Sequence, residues 1–341
     1  MRYLQDIVDG RDLSALEAEE LLGDVFSSAT DAEIGALLIA LRMKGESVSE
    51  IAGFARKMRS SAVRIKPVVD GVLVDTCGTG GDSVNTINVS TAAAIVAASC
   101  GVPVAKHGNY AVSSSCGSAN VLLELGAKID LPPDLVRKSI EDVGMGFMLA
   151  PLFHPAMKRV AGIRRELGMR TVFNILGPLT NPAGAEVQVM GVYDPGLCEK
   201  LANVLKVLGS HRALVVHGSG IDEITNTGET LVSELRVGNV RNYKISPEDF
   251  GYPVATVDEI AGTTPYENAR ALVKIMKGEH SSGRDIVAMN TAAALYVADR
   301  AESLDEGCRI AEEAIDSGSS LETLKKLVKM YGDPEKLRRF L

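Results

Sequence analysis

Tryptophan is absent from this chain, and aromatic residues make up only 4% of its 341 residues. Proteins that bind single-stranded nucleic acid stack the bases on aromatic side chains, so the composition disfavours that class. The formal net charge of -8 also repels nucleic acid and anionic lipid surfaces. We therefore expect small-molecule substrates, and any polyanionic ligand must be held by local groups or by metal ions.

Long apolar runs and clustered cysteines are absent as well. The most apolar stretches, such as TAAAIVAAS from Thr91, are far too short to cross a bilayer. No apolar segment of the secretory type follows the basic residue near the N-terminus. The five cysteines are odd in number and widely spaced, which indicates neither a disulfide framework nor a zinc site. We expect a cytoplasmic protein with no membrane partner.

Two patterns divide the sequence. Residues 1–66 have helical periodicity and no clear strand, which predicts a small helical domain. From Gly71 onward, short β-branched runs alternate with Ala- and Leu-rich helical stretches, as in an α/β domain with a largely parallel sheet. We therefore predict a second, larger α/β domain over 70–341. The strand-poor region 154–182 interrupts the alternation, and we expect its helices to pack with the first domain.

A glycine-rich loop follows the first predicted strand. The stretch DTCGTGGD at 75–82 contains Gly78, Gly80 and Gly81, which permit a tight turn and a close backbone approach to a ligand. The NVST stretch at 88–91 then begins an Ala-rich helix, whose free N–H groups and dipole favour an anion. The spacing matches neither the Walker A loop nor the dinucleotide fingerprint. Taken alone, the loop is either a phosphate cradle or an ordinary strand-to-helix turn.

Polar residues also follow two other predicted strands. Lys106 offers a positive charge suited to phosphate, and His107 and Asn109 offer directional hydrogen bonds. The alternative is a serine-rich surface loop in which the histidine bonds a backbone carbonyl. Asp222 and Glu223 lie next to each other in a glycine loop and suit Mg²⁺, which combines a few carboxylates with substrate oxygens and water. The alternative for them is a solvated acidic turn.

The three strand ends are more informative together than separately. Folds with parallel sheets bind ligands at the carboxyl ends of their strands. A glycine cradle, a cation with amide and hydroxyl donors, and paired carboxylates fit a Mg²⁺-bound polyphosphate. The segment FHPAMKRVAGIRRELGMR adds several basic residues, and one arginine facing the cleft would grip a carboxylate. Periodicity alone does not select that arginine.

Seven segments together carry a resemblance to a known family. They are DTCGTGGD, NVST, KHGN, SSSCGSA, FHPAMKRV, RRELGMRTVFNILGPLTNPA and VVHGSGIDEIT. In this order they resemble the anthranilate phosphoribosyltransferases of tryptophan biosynthesis, and the resemblance covers essentially the whole chain. It implies transfer of the phosphoribosyl group of 5-phosphoribosyl 1-diphosphate to the amino group of anthranilate, with release of pyrophosphate. It also implies two Mg²⁺ ions and a homodimer with a nucleoside phosphorylase-like fold, whose active site lies between the two domains.

The resemblance assigns roles by motif position. The residues that would contact the diphosphate substrate are Gly78, Gly81, Asp82, Thr86, Asn88, Val89, Ser90, Thr91, Lys106, His107, Gly108, Asn109, Tyr110, Ala111, Val112, Ser113, Ser114 and Ser118. Those that would meet anthranilate are Gly78, Asn109 and Arg164. Those that would hold Mg²⁺ are Ser90, Asp222 and Glu223.

Two positions depart from the family pattern. Tyr110 stands where the family commonly has Arg, and Asn120 stands where it commonly has Asp. The first difference removes a cation near the phosphoribosyl group, so we expect it to change the affinity for that substrate or the pose of the loop. The assignment of the chain as a whole does not depend on either position.

The chemistry implied by the resemblance makes modest demands on acid–base catalysis. An aromatic amine is uncharged at pH 7, so its lone pair is available without a strong general base. The task of the protein is to align two substrates and to stabilise the departing charge. We therefore predict that no single catalytic residue is indispensable. Two alternatives are a pyrimidine nucleoside phosphorylase-like enzyme, which shares the Lys-His-Gly element but needs no carboxylate pair, and a non-catalytic protein that binds phosphoribosyl diphosphate.

Overall fold

A computed structural model describes residues 1–81, 84–110 and 116–341 of the chain. Five of the predicted contact residues lie outside the described residues: Asp82, Ala111, Val112, Ser113 and Ser114. Among the helices of the described ranges, none has the length and apolar character needed to cross a membrane.

Four helices form the first part of the chain. They are α1 (Leu4–Val8), α2 (Ala15–Ser27), α3 (Asp31–Lys44) and α4 (Val48–Ser60). The last three begin with a capping box, in which a Ser or Thr side chain and a Glu three residues later bond each other's backbone N–H groups. The pairs are Ser14 with Glu17, Thr30 with Glu33, and Ser47 with Glu50. These caps explain why the helices begin where the sequence places a hydroxyl residue.

Seven strands of the described residues form one sheet. They are β1 (Val74–Gly78), β2 (Val104–Gly108), β3 (Met145–Leu149), β4 (Val187–Gly191), β5 (Arg212–Gly218), β6 (Thr230–Arg236) and β7 (Asn239–Ile245). Their order in the sheet is β3-β2-β1-β4-β5-β6-β7. Strands β1 to β5 run parallel to one another, and the pairs β5–β6 and β6–β7 are antiparallel. The largely parallel sheet is confirmed. Sequence analysis missed β3, whose MGFML sequence contains no β-branched residue, and the β6–β7 hairpin.

Twelve further α-helices, counted within the described ranges, surround this sheet. They are α5 (Val89–Ser99), α6 (Ser118–Glu124), α7 (Pro133–Val143), α8 (Ala150–Phe153), α9 (Lys158–Leu167), α10 (Phe173–Leu176), α11 (Leu197–Val207), α12 (Pro265–Met276), α13 (Ser282–Val297), α14 (Leu304–Asp316), α15 (Ser319–Tyr331) and α16 (Pro334–Arg338). Helix α9 packs against α2 and α3, and α10 packs against α4. The region 154–182 therefore contributes to the helical side of the molecule.

Three hydrophobic clusters pack on the sheet, and two of them lie on opposite faces because successive strand residues point to opposite faces. Val74 and Val189 belong to the core that contains α5 and α13. Cys77 and Met190 belong to the core that contains α2, α3 and α4. The helices of the first part of the chain therefore cover one face of the sheet.

Candidate active site

The glycine loop after β1 is tied to the acidic loop after β5. The backbone N–H of Gly80 donates to Oδ2 of Asp222 at 2.7 Å. A Cβ atom on Gly78 would lie 2.2 Å from the same oxygen, and one on Gly191 would lie 1.5 Å from the carbonyl oxygen of Asp222. Gly80 and Gly81 have positive φ angles of 66° and 77°, which glycine adopts readily. The loop can therefore approach the acidic residue because side chains are missing at the contact points.

Asp222 is buried at the centre of this contact. Burial raises the pKa of its carboxyl group, and the hydrogen bond from the Gly80 N–H opposes that shift. A buried carboxyl group with one backbone donor is suited to receive a cation, because a nearby positive charge favours its ionised form.

The start of α5 gathers the second carboxylate and a lysine. The backbone N–H of Ser90 donates to Oε1 of Glu223 at 3.2 Å. Lys106 Nζ, on β2, donates to the Ser90 hydroxyl at 3.3 Å and to the carbonyl of Thr76 at 2.7 Å. Lys106 is 2% exposed, and burial lowers the pKa of its ammonium group. The structure thus brings a hydroxyl, a cation and an acidic side chain together at one helix N-terminus.

Asn88 links the start of α5 to two other segments. Its Nδ2 donates to the carbonyl of Cys116 at 3.1 Å, and its Oδ1 accepts from Nδ2 of Asn268 at 2.9 Å. Thr86, two residues earlier, forms an isolated bridge with Ala261. Val89 and Thr91 are buried at the same helix start. The NVST stretch is therefore held from both sides.

The turn after β2 meets the start of α6. A Cβ atom on Gly108 would lie 2.3 Å from the Ser118 hydroxyl, which donates to the carbonyl of Asn109 at 3.4 Å. Tyr110 is exposed, and its N–H donates to Oδ1 of Asn109 at 2.8 Å. Oδ1 of Asn120 accepts from the N–H of Gly117 at 3.1 Å. An aspartate would accept the same bond, so the replacement by asparagine preserves this helix cap.

Two histidines face each other beneath this turn. The ring centroids of His107 and His154 are 5.0 Å apart, and both residues are buried. Burial is the main reason why the pKa of His107 falls to about 3 and that of His154 to about 4. Hydrogen bonds to the backbone of Gly177 and Thr180 oppose these shifts. Within the described part of the chain, the Nε2 atom of each ring has no hydrogen-bond partner, so two neutral rings offer free nitrogens here.

A buried polar network lies behind His107, and sequence analysis missed it. Asp75 is fully buried, and its carboxylate oxygens accept from the His107 backbone N–H and from Nε2 of Gln188, each at 3.4 Å. Nε2 of Gln188 also donates to the carbonyl of Pro178 at 2.6 Å. Burial raises the pKa of Asp75 to about 6. The available sequence signal was a carboxylate inside a strand, which is unusual unless the group is partnered.

Two of the four arginines of the basic segment, Arg164 and Arg170, lie near the site in different positions. Arg164 lies on α9, half-buried, with its guanidinium 5.5 Å from the ring centre of Phe173. It forms no ion pair with a residue of the described ranges, and burial lowers the pKa of its guanidinium. Arg170 donates to the carbonyl of Gly81 and stacks on Tyr193 at 3.9 Å. Arg170 therefore contacts the glycine loop, a role that the sequence did not predict.

The oxygen groups at this edge fit a hard divalent cation. Asp222, Glu223 and the Ser90 hydroxyl are oxygen donors of the kind that Mg²⁺ prefers. No group of three or more His, Cys, Asp or Glu side chains positioned for a metal occurs in the described residues. The protein therefore offers few ligands of its own, which suits an ion that completes its shell with substrate oxygens and water.

The family models divide the chain in the same way as its structure. Residues 70–321 match the description "Glycosyl transferase family, a/b domain", and residues 1–62 match "Glycosyl transferase family, helical bundle domain".

Individual relatives agree over nearly the full length. The chain is 57% identical over 326 residues to an anthranilate phosphoribosyltransferase from Methanococcoides burtonii, covering 96% of this chain and 92% of the relative. Its fold resembles the crystal structure of the corresponding Thermus thermophilus protein, with a TM-score of 0.92, 42% identity and coverage of 97% and 99%. It also resembles the Saccharomyces cerevisiae protein in complex with PRPP and Mg, with a TM-score of 0.87, 29% identity and 96% coverage of both chains.

Proposed function

The chain belongs to the anthranilate phosphoribosyltransferase family, and from that membership we propose its reaction. It transfers the phosphoribosyl group of 5-phosphoribosyl 1-diphosphate to the amino group of anthranilate and releases pyrophosphate. The observation that carries this proposal is the joining of Asp222 and Glu223 to the glycine loop and to the start of α5. The S. cerevisiae relatives have been observed with PRPP and Mg and with 4-fluoroanthranilate, which supports both substrate classes.

We assign the diphosphate substrate to the carboxyl ends of β1 and β2. The glycines of the loop after β1 permit a close backbone approach to the ligand, and the dipole of α5 favours a phosphate group at the start of this helix. Lys106 adds a buried positive charge next to the Ser90 hydroxyl. The predicted contact residues of the turn after β2, Gly108, Asn109 and Ser118, are mutually packed and present the second wall.

Asp222, Glu223 and Ser90 are the residues that we assign to magnesium, and we propose two ions. When bound, Mg²⁺ neutralises negative charge on the diphosphate group. The carboxylates are already hydrogen-bonded to backbone N–H groups, so their oxygens are fixed in direction before a ligand arrives. Such fixed groups lower the reorganisation needed during the reaction.

At the anthranilate site, the protein must bind the substrate carboxylate rather than transfer a proton. We assign the anthranilate carboxylate to Arg164, whose guanidinium is half-buried and free of an ion pair in the described ranges. His107 and His154 are neutral at pH 7 because of burial, so neither imidazole is an acid that gives a proton to the amine. The aromatic amine is itself uncharged at this pH, so its lone pair is available to the sugar carbon.

We further propose a homodimer that works in the cytoplasm. Large apolar side chains on the helical part are available for such a contact, namely Val8, Leu16 and Met43, which are 61%, 71% and 83% exposed. The cytoplasmic location rests on the biosynthetic role of the family.

The reaction is tested by following the loss of anthranilate fluorescence in the presence of 5-phosphoribosyl 1-diphosphate. We expect a loss that requires Mg²⁺ and stops when the metal is chelated. A matched sample without the diphosphate substrate controls for quenching by the protein. Absence of a metal-dependent loss with folded protein would exclude the proposed reaction.

A further inference from the structure

A second polar cavity lies away from the candidate active site. Its volume is about 200 Å³, and it is lined by Arg59 and Arg64 after the helical part, by residues before β4, and by residues before β5. Glu186 and Ser210 are among these residues, so the cavity is at the amino ends of the parallel strands. The glycine loop and Asp222 follow the carboxyl ends. A five-residue strand spans about 16 Å, so the two places are distinct.

The two arginines of this cavity have no acidic partner among the described residues. Arg59 is half-buried, and its Nε donates to the carbonyl of Leu179 at 2.8 Å, which leaves the outer edge of its guanidinium for another acceptor. Burial and the neighbouring charge of Arg64 lower the pKa of Arg59. Neither arginine forms an ion pair with a residue of 1–81, 84–110 or 116–341. Two like charges held this close, one of them partly desolvated, are stabilised by an anion between them.

The acidic side chain in the lining does not supply that charge. Glu186 is exposed, and its carboxylate lies 3.5 Å from Nε2 of His211, beyond ion-pair distance of both arginines. Counting the charged lining groups, two arginines and one glutamate leave a charge of +1. Ser210 adds a hydroxyl to the same wall. The cavity therefore combines excess positive charge with hydrogen-bond donors.

We propose that this cavity binds a compact phosphate group between Arg59 and Arg64. Planar guanidinium groups bond phosphate oxygens in pairs, which makes arginine the preferred partner for this chemistry. The volume is below the roughly 300–1,000 Å³ typical of sites for drug-sized ligands, so the cavity selects a small anion. The ligand is inorganic phosphate or the phosphate group of a small ester. This site is independent of the proposed reaction and adds to it.

The place of the cavity links it to the candidate active site. Arg59 donates a hydrogen bond to the carbonyl of Leu179 from the side of the cavity. The adjacent Pro178 carbonyl accepts from Gln188, and the Thr180 backbone bonds His154. An anion on Arg59 would thus lie behind the segment that supports the two buried histidines.

Calorimetric titration with inorganic phosphate, and separately with glycerol phosphate, tests the proposal at constant ionic strength. The chains compared are the wild type, Arg64→Gln and the control Arg56→Gln, whose exposed arginine lies on α4 outside the cavity lining. The Arg64→Gln change removes a charged hydrogen-bond donor, so it should weaken the affinity for phosphate about tenfold. The phosphate affinity of Arg56→Gln should equal that of the wild type. Phosphate bound elsewhere contributes equally to all three chains. Binding of inorganic phosphate identifies a free-ion site, and binding of the ester alone identifies a metabolite site.

Arg64 is exposed, so its replacement should leave the fold intact, which thermal unfolding without phosphate verifies. Arg64→Lys keeps the charge but loses the planar fork, and we expect an intermediate affinity. Equal phosphate affinity of the wild type and Arg64→Gln would overturn the proposal. Equal weakening by Arg56→Gln would overturn it too, because the effect would then follow net charge alone.

Discussion

Asp222 and Gly80 are joined by a 2.7 Å hydrogen bond that fixes the glycine loop against the loop after β5. The bond exists because Gly78 carries no side chain: its Cβ would come within 2.2 Å of the same carboxylate oxygen. The loop sequence and the acidic pair thus depend on each other, although 142 positions separate the two bonded residues.

Gly78→Ala should displace Asp222 and reduce kcat/KM for the diphosphate substrate by about 100-fold, since displacements near 1 Å have effects of this size. Steady-state kinetics with varied 5-phosphoribosyl 1-diphosphate measures the loss. Gly35→Ala is the matched control, because a Cβ atom there meets open space in α3. A wild-type kcat/KM in Gly78→Ala would show that the contact does not matter for the reaction.

Lys106→Met should raise the KM for the diphosphate substrate by roughly ten- to a hundredfold, because a hydrogen bond from a charged group is removed. The change also leaves the carbonyl of Thr76 without its donor, so thermal unfolding must verify the fold before the KM is interpreted. Lys128→Met, at an exposed position, controls for loss of a lysine. An unchanged KM with Lys106→Met would remove Lys106 from the substrate site.

Arg164→Ala should raise the KM for anthranilate and change kcat little, because the arginine is assigned to a carboxylate rather than to the reacting bond. The neighbouring exposed Arg165 provides the control in Arg165→Ala. If the KM for anthranilate stays constant while kcat falls, the assignment of Arg164 is wrong.

Replacing either buried histidine by alanine should lower kcat by less than about 10⁴-fold, the upper range for one positioned acid or base. The reason is that a neutral amine needs no strong base, and both imidazoles are uncharged near pH 7. Single-turnover rates at saturating substrates measure the effect. A larger loss with intact substrate binding would identify that histidine as an indispensable catalyst.

Stability should depend on pH through the same histidines. The pKa of His107 is about 3 in the folded chain and 6.5 in a model compound, so the unfolded chain binds the proton first as pH falls. Its stabilising contribution is full above about pH 6.5 and is lost progressively toward pH 3. Asp75 acts in the opposite sense, because its pKa is raised from 3.8 to about 6 in the folded chain. Its contribution to the free energy of unfolding is present below pH 3.8 and is lost as the pH rises through 6.

His107→Asn should therefore flatten the acid side of the stability curve. One proton corresponds to about 1.4 kcal/mol per pH unit, so the slope of the unfolding free energy between pH 6 and 4 should fall by up to that amount. Urea unfolding at several pH values measures it, with the exposed His211→Asn as the control. Identical slopes in His107→Asn and the wild type would contradict a buried neutral His107.

The sequence predicted those parts of the site that lie in short segments at strand ends. DTCGTGGD, KHGN and IDE each follow a strand, and a parallel sheet brings the carboxyl ends of its strands to one edge. The sequence therefore predicted that these three segments lie close together. The partners in the Asp75, Gln188 and Pro178 network are far apart in the chain, and no local pattern links them. The contact of Arg170 with Gly81 is equally non-local. Strand β3 was missed because MGFML contains no β-branched residue and no alternation of polar and apolar residues, since all five positions are buried.

Strand β7 closes one side of the sheet, and its character limits how copies of the chain can meet. Most of its residues are exposed, and they include Arg241 and Lys244. Charged side chains on an edge strand discourage another strand from adding to the sheet. Fibre-like growth by strand addition along β7 is therefore disfavoured, and concentrated solutions should be free of sheet-extended aggregates at this edge.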